Sequence, residues 1–124
     1  MTPWPNYEVV FYQDVKGNAP AKDFLENLPE KIEGKFLRWI QLLEEQGPNL
    51  PRPFADVLRN KIRELRVKFG SDQYRLLYFF HGKMAVLTHG FIKKTDRVPD
   101  EEIEKEIKLM NDFLRRCERG DIEL

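Results

Sequence analysis

Residues 61–97 concentrate the side chains best suited to act on a phosphodiester: Glu64, Arg66, Arg75, Lys93 and Lys94. Metal-free RNA cleavage needs a base for the 2′-OH proton, a cation for the phosphorane and an acid for the leaving 5′-oxygen. Arginine offers a rigid, permanently charged fork that matches phosphate oxygens. Glu64 is the best-placed base, and His89 or Lys93 are candidate acids. Lys61, Arg63, Lys68, His89 and Arg97 are the further side chains expected to contact RNA.

Strand geometry sharpens this. Side chains at i and i+2 share a face, so if Leu65 and Val67 face a core, then Glu64, Arg66 and Lys68 point the other way. Arg75 lies in the apolar run Tyr74–Phe80. An unpaired buried charge is expensive, so Arg75 must meet a carboxylate, Glu64 or Asp72, or face an open groove. The first alternative is structural and the second is a phosphate site.

Charge distribution agrees with a polyanion partner although the total does not. The 124 residues carry 21 basic and 21 acidic side chains. Residues 59–97 hold 10 basic and 3 acidic, a net of +7, and both flanks are acidic. Such asymmetry marks where a polyanion sits. His81, His89 and Cys117 lack zinc-site spacing, and no Gly-rich phosphate loop, nucleophile elbow or metalloprotease motif is present. No metal or cofactor is expected. A single cysteine permits no intrachain disulfide and suits a cytoplasmic setting. The start of the chain has neither a basic region nor an apolar run, so no signal peptide is read. The longest apolar stretch, Leu76–Phe80, is far short of the roughly 20 residues of a membrane span, so no membrane partner is expected.

The elements that must position these residues read as β-α-α-β-β-β-α. Glu8–Tyr12 is β-branched and aromatic, a first strand. Asn18 is the expected cap of a short helix with Pro20 in its first turn. Ile32, Phe36, Trp39, Ile40 and Leu43 recur on one helical face, and Gly47-Pro48 ends that helix. Strands follow from Lys61, over Tyr74–Phe80, and over Met84–His89, the last two joined by a tight turn at Gly82. Asp100 is the expected cap of a last helix, whose apolar face is Ile103, Ile107, Met110, Leu114 and Cys117. The expectation is one α+β domain over residues 1–124, an antiparallel sheet covered by a helical hairpin, with a C-terminal helix that docks on the sheet or on a partner. Trp4, Tyr7 and Tyr12 are read as closing the sheet edge.

The runs KIRELRVKFGSDQYRLLYFF (61–80) and GKMAVLTHGFIKKTDRVPDEEIEKE (82–106) resemble the RelE/HigB-like toxins of type II toxin–antitoxin systems, nearest their phage-protein-like addiction-module-killer branch. The shared features are the E-L-R strand, the Y-R-hydrophobic-hydrophobic-Y strand, and H-G-F-x-K-K-T ahead of P-x-x-E-I. The resemblance implies a RelE-like fold and a toxin that cleaves mRNA at the ribosome. Its partners would be the ribosome, mRNA and a silencing antitoxin. It further implies that Arg75 contacts the scissile phosphate, that Arg66 is the basic residue of the preceding strand with Glu64 beside it, and that Lys93 or Lys94 is the cation after the last strand. No Tyr follows Tyr78, where several relatives carry a Tyr or a His pair, so the acid and base stay open. Two other readings compete: a non-enzymatic ParE-like gyrase inhibitor, and an inactive phage-derived binding protein. On the nuclease reading, Arg75→Ala abolishes cleavage while the protein stays folded.

Overall fold

The helices form where side-chain spacing lets a single face be buried. The computed structural model describes residues 6–59, 61–94 and 98–122. Among these, the chain runs β1 (Glu8–Phe11), α1 (Pro20–Glu26), α2 (Glu30–Gln46), β2 (Ala55–Arg59), β3 (Ile62–Phe69), β4 (Asp72–His81), β5 (Met84–Lys93) and α3 (Asp100–Glu118). A 3-10 turn, Gly47–Asn49, follows α2. The fold is α+β, and the sheet is mixed, ordered β1-β5-β4-β3-β2.

Two points correct the expected antiparallel order of four strands. β1 pairs parallel with β5, Glu8 opposite Met84 and Phe11 opposite Leu87, while the other strands pair antiparallel. The direction of β1 depends on how many times the chain reverses before β5, which no local pattern encodes. The second point is β2, an unforeseen fifth strand. It follows Pro51 and Pro53 and has no clean alternation; it is held by pairing with β3, Ala55 opposite Leu65 and Asp56 opposite Glu64.

The helix ends also differ in detail. Ala19, not Asn18, precedes α1 as its cap residue, with Pro20 in the first turn. Asn18 is drawn away by Asp14, whose carboxylate accepts from the Asn18 backbone N–H at 2.9 Å and from Nδ2 at 3.0 Å. Pro99 precedes α3, and Asp100 is its first residue. There Asp100, Glu101 and Glu102 place negative charge at the positive end of the helix dipole.

The sheet has a core on each face. Leu65, Val67, Leu76, Tyr78, Ala85 and Leu87 meet Leu25, Ile32, Phe36 and Leu43 of the α1–α2 hairpin. Trp39 and Ile40 pack partly buried at the border of this core. Opposite, α3 docks on the sheet. Phe113 packs with Phe79 and Val86, and Ile103 packs with Ile62 and Leu77. Cys117 adds to this packing. Residues Tyr74 to Phe79 of β4 are buried throughout, as a strand covered on both sides must be. Two glycines permit the close approaches. Gly47 has φ +55 and leaves no room for a Cβ beside the Tyr7 ring; a Cβ on Gly90 would overlap the Phe24 ring, so Gly90 lets α1 lie down on β5. Tyr7 and Tyr12 hold the β1 edge, Tyr7 edge-on to Phe80 and Tyr12 donating to Asp112 of α3 at 2.6 Å. Trp4 lies outside the described residues. No helix among the described residues is long and apolar enough to cross a membrane.

Candidate nucleic-acid interface

Strand register brings the charged side chains together. Arg66 stands directly opposite Arg75, and Glu64 opposite Leu77. Asp56 stands opposite Glu64, and Lys93 opposite Gln73. Positions 56, 64, 66, 73, 75 and 93 therefore share the sheet face that α3 covers further along. Leu65 and Val67 point into the other core, as the alternation requires.

The cluster is a chain of alternating charges. Arg75 is 1% exposed, and its Nε lies 2.9 Å from Glu64 Oε1. Its Nη2 donates to Gln73 Oε1 at 2.6 Å, and Nη1 to the Tyr74 carbonyl at 3.4 Å. Arg66 bridges the two carboxylates, with Nε 3.9 Å from Glu64 Oε2 and Nη1 3.8 Å from Asp56 Oδ2. Arg52 closes the far end at 2.8 Å from Asp56. Of the two alternatives for Arg75, the ion pair with Glu64 is the one present. Burial pushes the Glu64 carboxyl above its usual range, against the pull of Arg75, Arg66 and Lys93. Burial likewise pulls the Arg75 guanidinium down, against the pull of Glu64.

Beside this chain opens a cavity of about 450 Å³, bounded by Trp39, Arg52, Pro53, Arg66, Lys68, Gln73 and Arg75. It lies where β2 begins only at Ala55, opposite Leu65, while β3 continues to Phe69. The uncovered end of β3 is flanked by Trp39 of α2, whose Nε1 donates to the Arg66 carbonyl at 2.8 Å. Phe54 braces that indole edge-on, with centroids 4.8 Å apart. No carboxylate lines the cavity.

The other expected side chains are distributed as follows. Lys93 is buried on the cluster's face, because β5 runs on through Gly90 to Lys93 instead of stopping at His89. Lys94 lies just past the strand and pairs with Asp72 at 3.2 Å, so it does not join the cluster. Lys68 is exposed and reaches the cavity. Lys61 is exposed in the turn before β3, at the other end of that strand. Arg63 does not join the expected RNA surface: it lies over the Phe80 ring on the hairpin side and donates to the Pro48 carbonyl at 3.2 Å. Odd positions of β3 face that side. Arg97 lies outside the described residues.

His89 also departs from its expected place. It is 2% exposed, beneath α3, with Nδ1 3.5 Å from Glu106 and Nε2 3.7 Å from Glu102. A bulge at Thr88, which has no partner residue across the ladder, turns both Thr88 and His89 toward α3. Burial, with Lys105 nearby, lowers the His89 pKa to about 4. Burial raises Glu106 to about 8. Thr88 Oγ1 reaches both Glu106 and the Leu77 carbonyl, the latter at 3.0 Å. A hydroxyl has one proton, so a protonated Glu106 that donates to Thr88 satisfies both contacts. His89 is thus enclosed beneath α3 and stacked on Phe91.

Sequence reasoning overlooked Asp56, Arg52, Gln73 and Trp39 as members of this site. Gln73 was within reach, two residues before Arg75 on one strand face. Asp56 and Arg52 depend on β2, and the apolar helical stripe assigns Trp39 to the core.

Comparison with known proteins adds one match. The family described as phage-derived protein Gp49-like (DUF891) matches residues 23–111, more than half of the chain. No curated protein matches. The matched region spans α2, all of β2–β5 and most of α3, and so contains the whole charge chain.

Proposed function

This chain belongs to the Gp49-like family of phage-derived proteins, a family associated with toxin–antitoxin modules, and on that premise we propose that it is the toxin of such a module and cleaves mRNA at the ribosome without a metal. The observation that carries the reading is the carboxylate-free cavity ringed by Arg52, Arg66, Lys68 and Arg75, with Glu64 held immediately behind it. Arg66 and Arg75 would bind the scissile phosphate and stabilise charge on the phosphorane. Glu64, raised by burial, is the candidate for proton transfer at the 2′-OH. Lys93, on the next strand of the same face, is the candidate acid, and Lys94 a peripheral RNA contact. The partners under this reading are ribosome, mRNA and an antitoxin that masks the basic face, in the cytoplasm.

In this state Glu64 pairs with Nε of Arg75, and Gln73 accepts from Nη2. An incoming phosphate must compete with that carboxylate, and protonation of Glu64 would release the guanidinium. Binding of RNA is therefore expected to strengthen as pH falls through the Glu64 titration. The test is expression in a bacterium with and without the neighbouring open reading frame, followed by mapping of mRNA 5′ ends. Cleavage at codon positions that Arg66→Ala abolishes supports the reading. DNA breaks with trapped gyrase would favour a ParE-like inhibitor instead, and neither outcome would leave a phage-derived binder.

A further inference from the structure

We infer that the cavity beside Trp39 is a subsite for a single nucleotide of single-stranded RNA, with the base against the indole and the 5′-phosphate among Arg52, Arg66 and Lys68. The inference rests on the nuclease reading for its choice of RNA, and adds to it a place where one neighbouring nucleotide is gripped. Trp39 does not behave as a simple core residue. It is only partly buried, its Nε1 is tied to the Arg66 carbonyl at 2.8 Å, and Phe54 braces it edge-on. The remaining indole surface bounds a cavity whose other walls are the cations Arg52, Arg66, Lys68 and Arg75 with the uncharged Pro53 and Gln73. A flat aromatic held rigidly beside guanidinium groups is what sequence-tolerant binding of a nucleotide requires.

Charge supports the choice of ligand. Arg52, Arg66, Lys68 and Arg75 bound the space, and their carboxylate partners, Asp56 and Glu64, are two. Four cations against two anions leave a surplus of +2, which the phosphodiesters on either side of one nucleotide, at one negative charge each, balance. Arg52 is exposed, with its side chain 74% accessible, so its guanidinium can turn from Asp56 to a phosphate. Gln73 adds recognition. Its Oε1 accepts from Arg75 at 2.6 Å, which leaves the amide nitrogen to donate to a base carbonyl or ring nitrogen. The volume, about 450 Å³, falls in the range of about 300–1,000 Å³ usual for small-ligand sites.

The experiment uses the full chain carrying Trp4→Phe, which leaves Trp39 as its sole tryptophan, titrated with a single-stranded RNA hexamer while tryptophan emission is followed. Saturable quenching is expected. Lys68→Ala and Arg52→Ala, both at exposed side chains, are expected to weaken binding several-fold each. Each should also reduce the slope of log affinity against log salt by about 0.7. Circular dichroism checks that both variants are folded. Absence of quenching, quenching that both variants leave unchanged, or quenching by an acidic peptide with none by RNA would overturn the inference. The two readings fail differently. Quenching without mRNA cleavage in cells removes the nuclease and keeps the subsite; cleavage without quenching removes the subsite and keeps the nuclease.

Discussion

Removing either member of the Arg75–Glu64 pair is expected to destabilise the protein, and removing both is not. The pair is almost fully buried, with side chains 2% and 5% exposed. Breaking such a pair by deleting one partner typically costs about 3–5 kcal/mol, because a charge is left without compensation, whereas replacing both with apolar side chains is often neutral. The surroundings rank the two single variants. Arg75→Met leaves Glu64 with Arg66 at 3.9 Å and the attraction of Lys93, so its loss falls near the low end, about 3 kcal/mol. Glu64→Leu leaves Arg75 with the neutral acceptors Gln73 and the Tyr74 carbonyl and with a repulsion from Arg66 that exceeds the pull of Asp56, so its loss falls near the high end, about 5 kcal/mol. The assay is urea denaturation followed by circular dichroism at pH 7 on wild type, both single variants and the double variant. A coupling energy of about 3 kcal/mol or more is expected. If the double variant loses the sum of the single losses to within about 0.5 kcal/mol, the two side chains do not form a pair and the reasoning fails. The cycle also qualifies the expectation that Arg75→Ala stays fully folded. A loss of about 3 kcal/mol is a large part of a typical stability of about 5–15 kcal/mol, so loss of toxicity in that variant must be read beside its melting curve. A folded Arg75→Met/Glu64→Leu protein that is non-toxic would separate the chemical role from the structural one.

Other consequences follow from the same geometry. Glu106, raised to about 8, favours folding in its protonated form, and that contribution is lost as pH rises from its unfolded value through 8. His89, lowered to about 4, favours folding when neutral, and its contribution is lost as pH falls from about 6.5 toward 4. The two slopes offset each other between about pH 4.5 and 6.5, so thermal stability is expected to fall by roughly 2 kcal/mol between pH 6.5 and 8. Glu106→Gln should flatten that fall, and a flat wild-type profile would contradict the assignment. Gly90→Ala pushes a methyl into the Phe24 ring and is expected to cost about 1–3 kcal/mol; an unchanged melting temperature would show that α1 does not press on β5. Arg66→Ala, which unlinks two carboxylates and removes a cation from the cavity, should weaken RNA binding more than Lys94→Ala, whose ammonium is engaged at the periphery by Asp72. Equal effects in an electrophoretic shift at fixed salt would refute that ranking.

Much of the fold was open to reading because its signals are local. The spacing of Ile32, Phe36 and Leu43 dictates one buried helical face, and those side chains are buried. The unbroken apolar run after Tyr74 demands cover on both sides of its strand, and β4 has it. Period-two alternation alone put Glu64 and Arg66 on the face opposite Leu65 and Val67, and Glu64 was one of the alternatives open to a buried Arg75, beside Asp72 and an open groove. Three things depended on contacts between residues far apart in the chain. The parallel pairing of β1 with β5 is decided by chain path, and β2 exists through its pairing with β3. The bulge at Thr88 lets both Thr88 and His89 face α3, which covers them.

The basic cluster itself divides in the same way. Residue types, the +7 segment and strand alternation were determined by the sequence, because charge and period are properties of single positions and near neighbours. Which charges meet was decided only by the tertiary structure. Register joined Arg75 to Glu64 and Arg66 to Asp56 and sent Lys94 to Asp72. The late start of β2 at Ala55 against the longer β3 leaves the cavity beside Trp39. Ion pairing and cavity shape fall off within a few ångströms, and distances of that order between strands are set only when the whole sheet has closed its register.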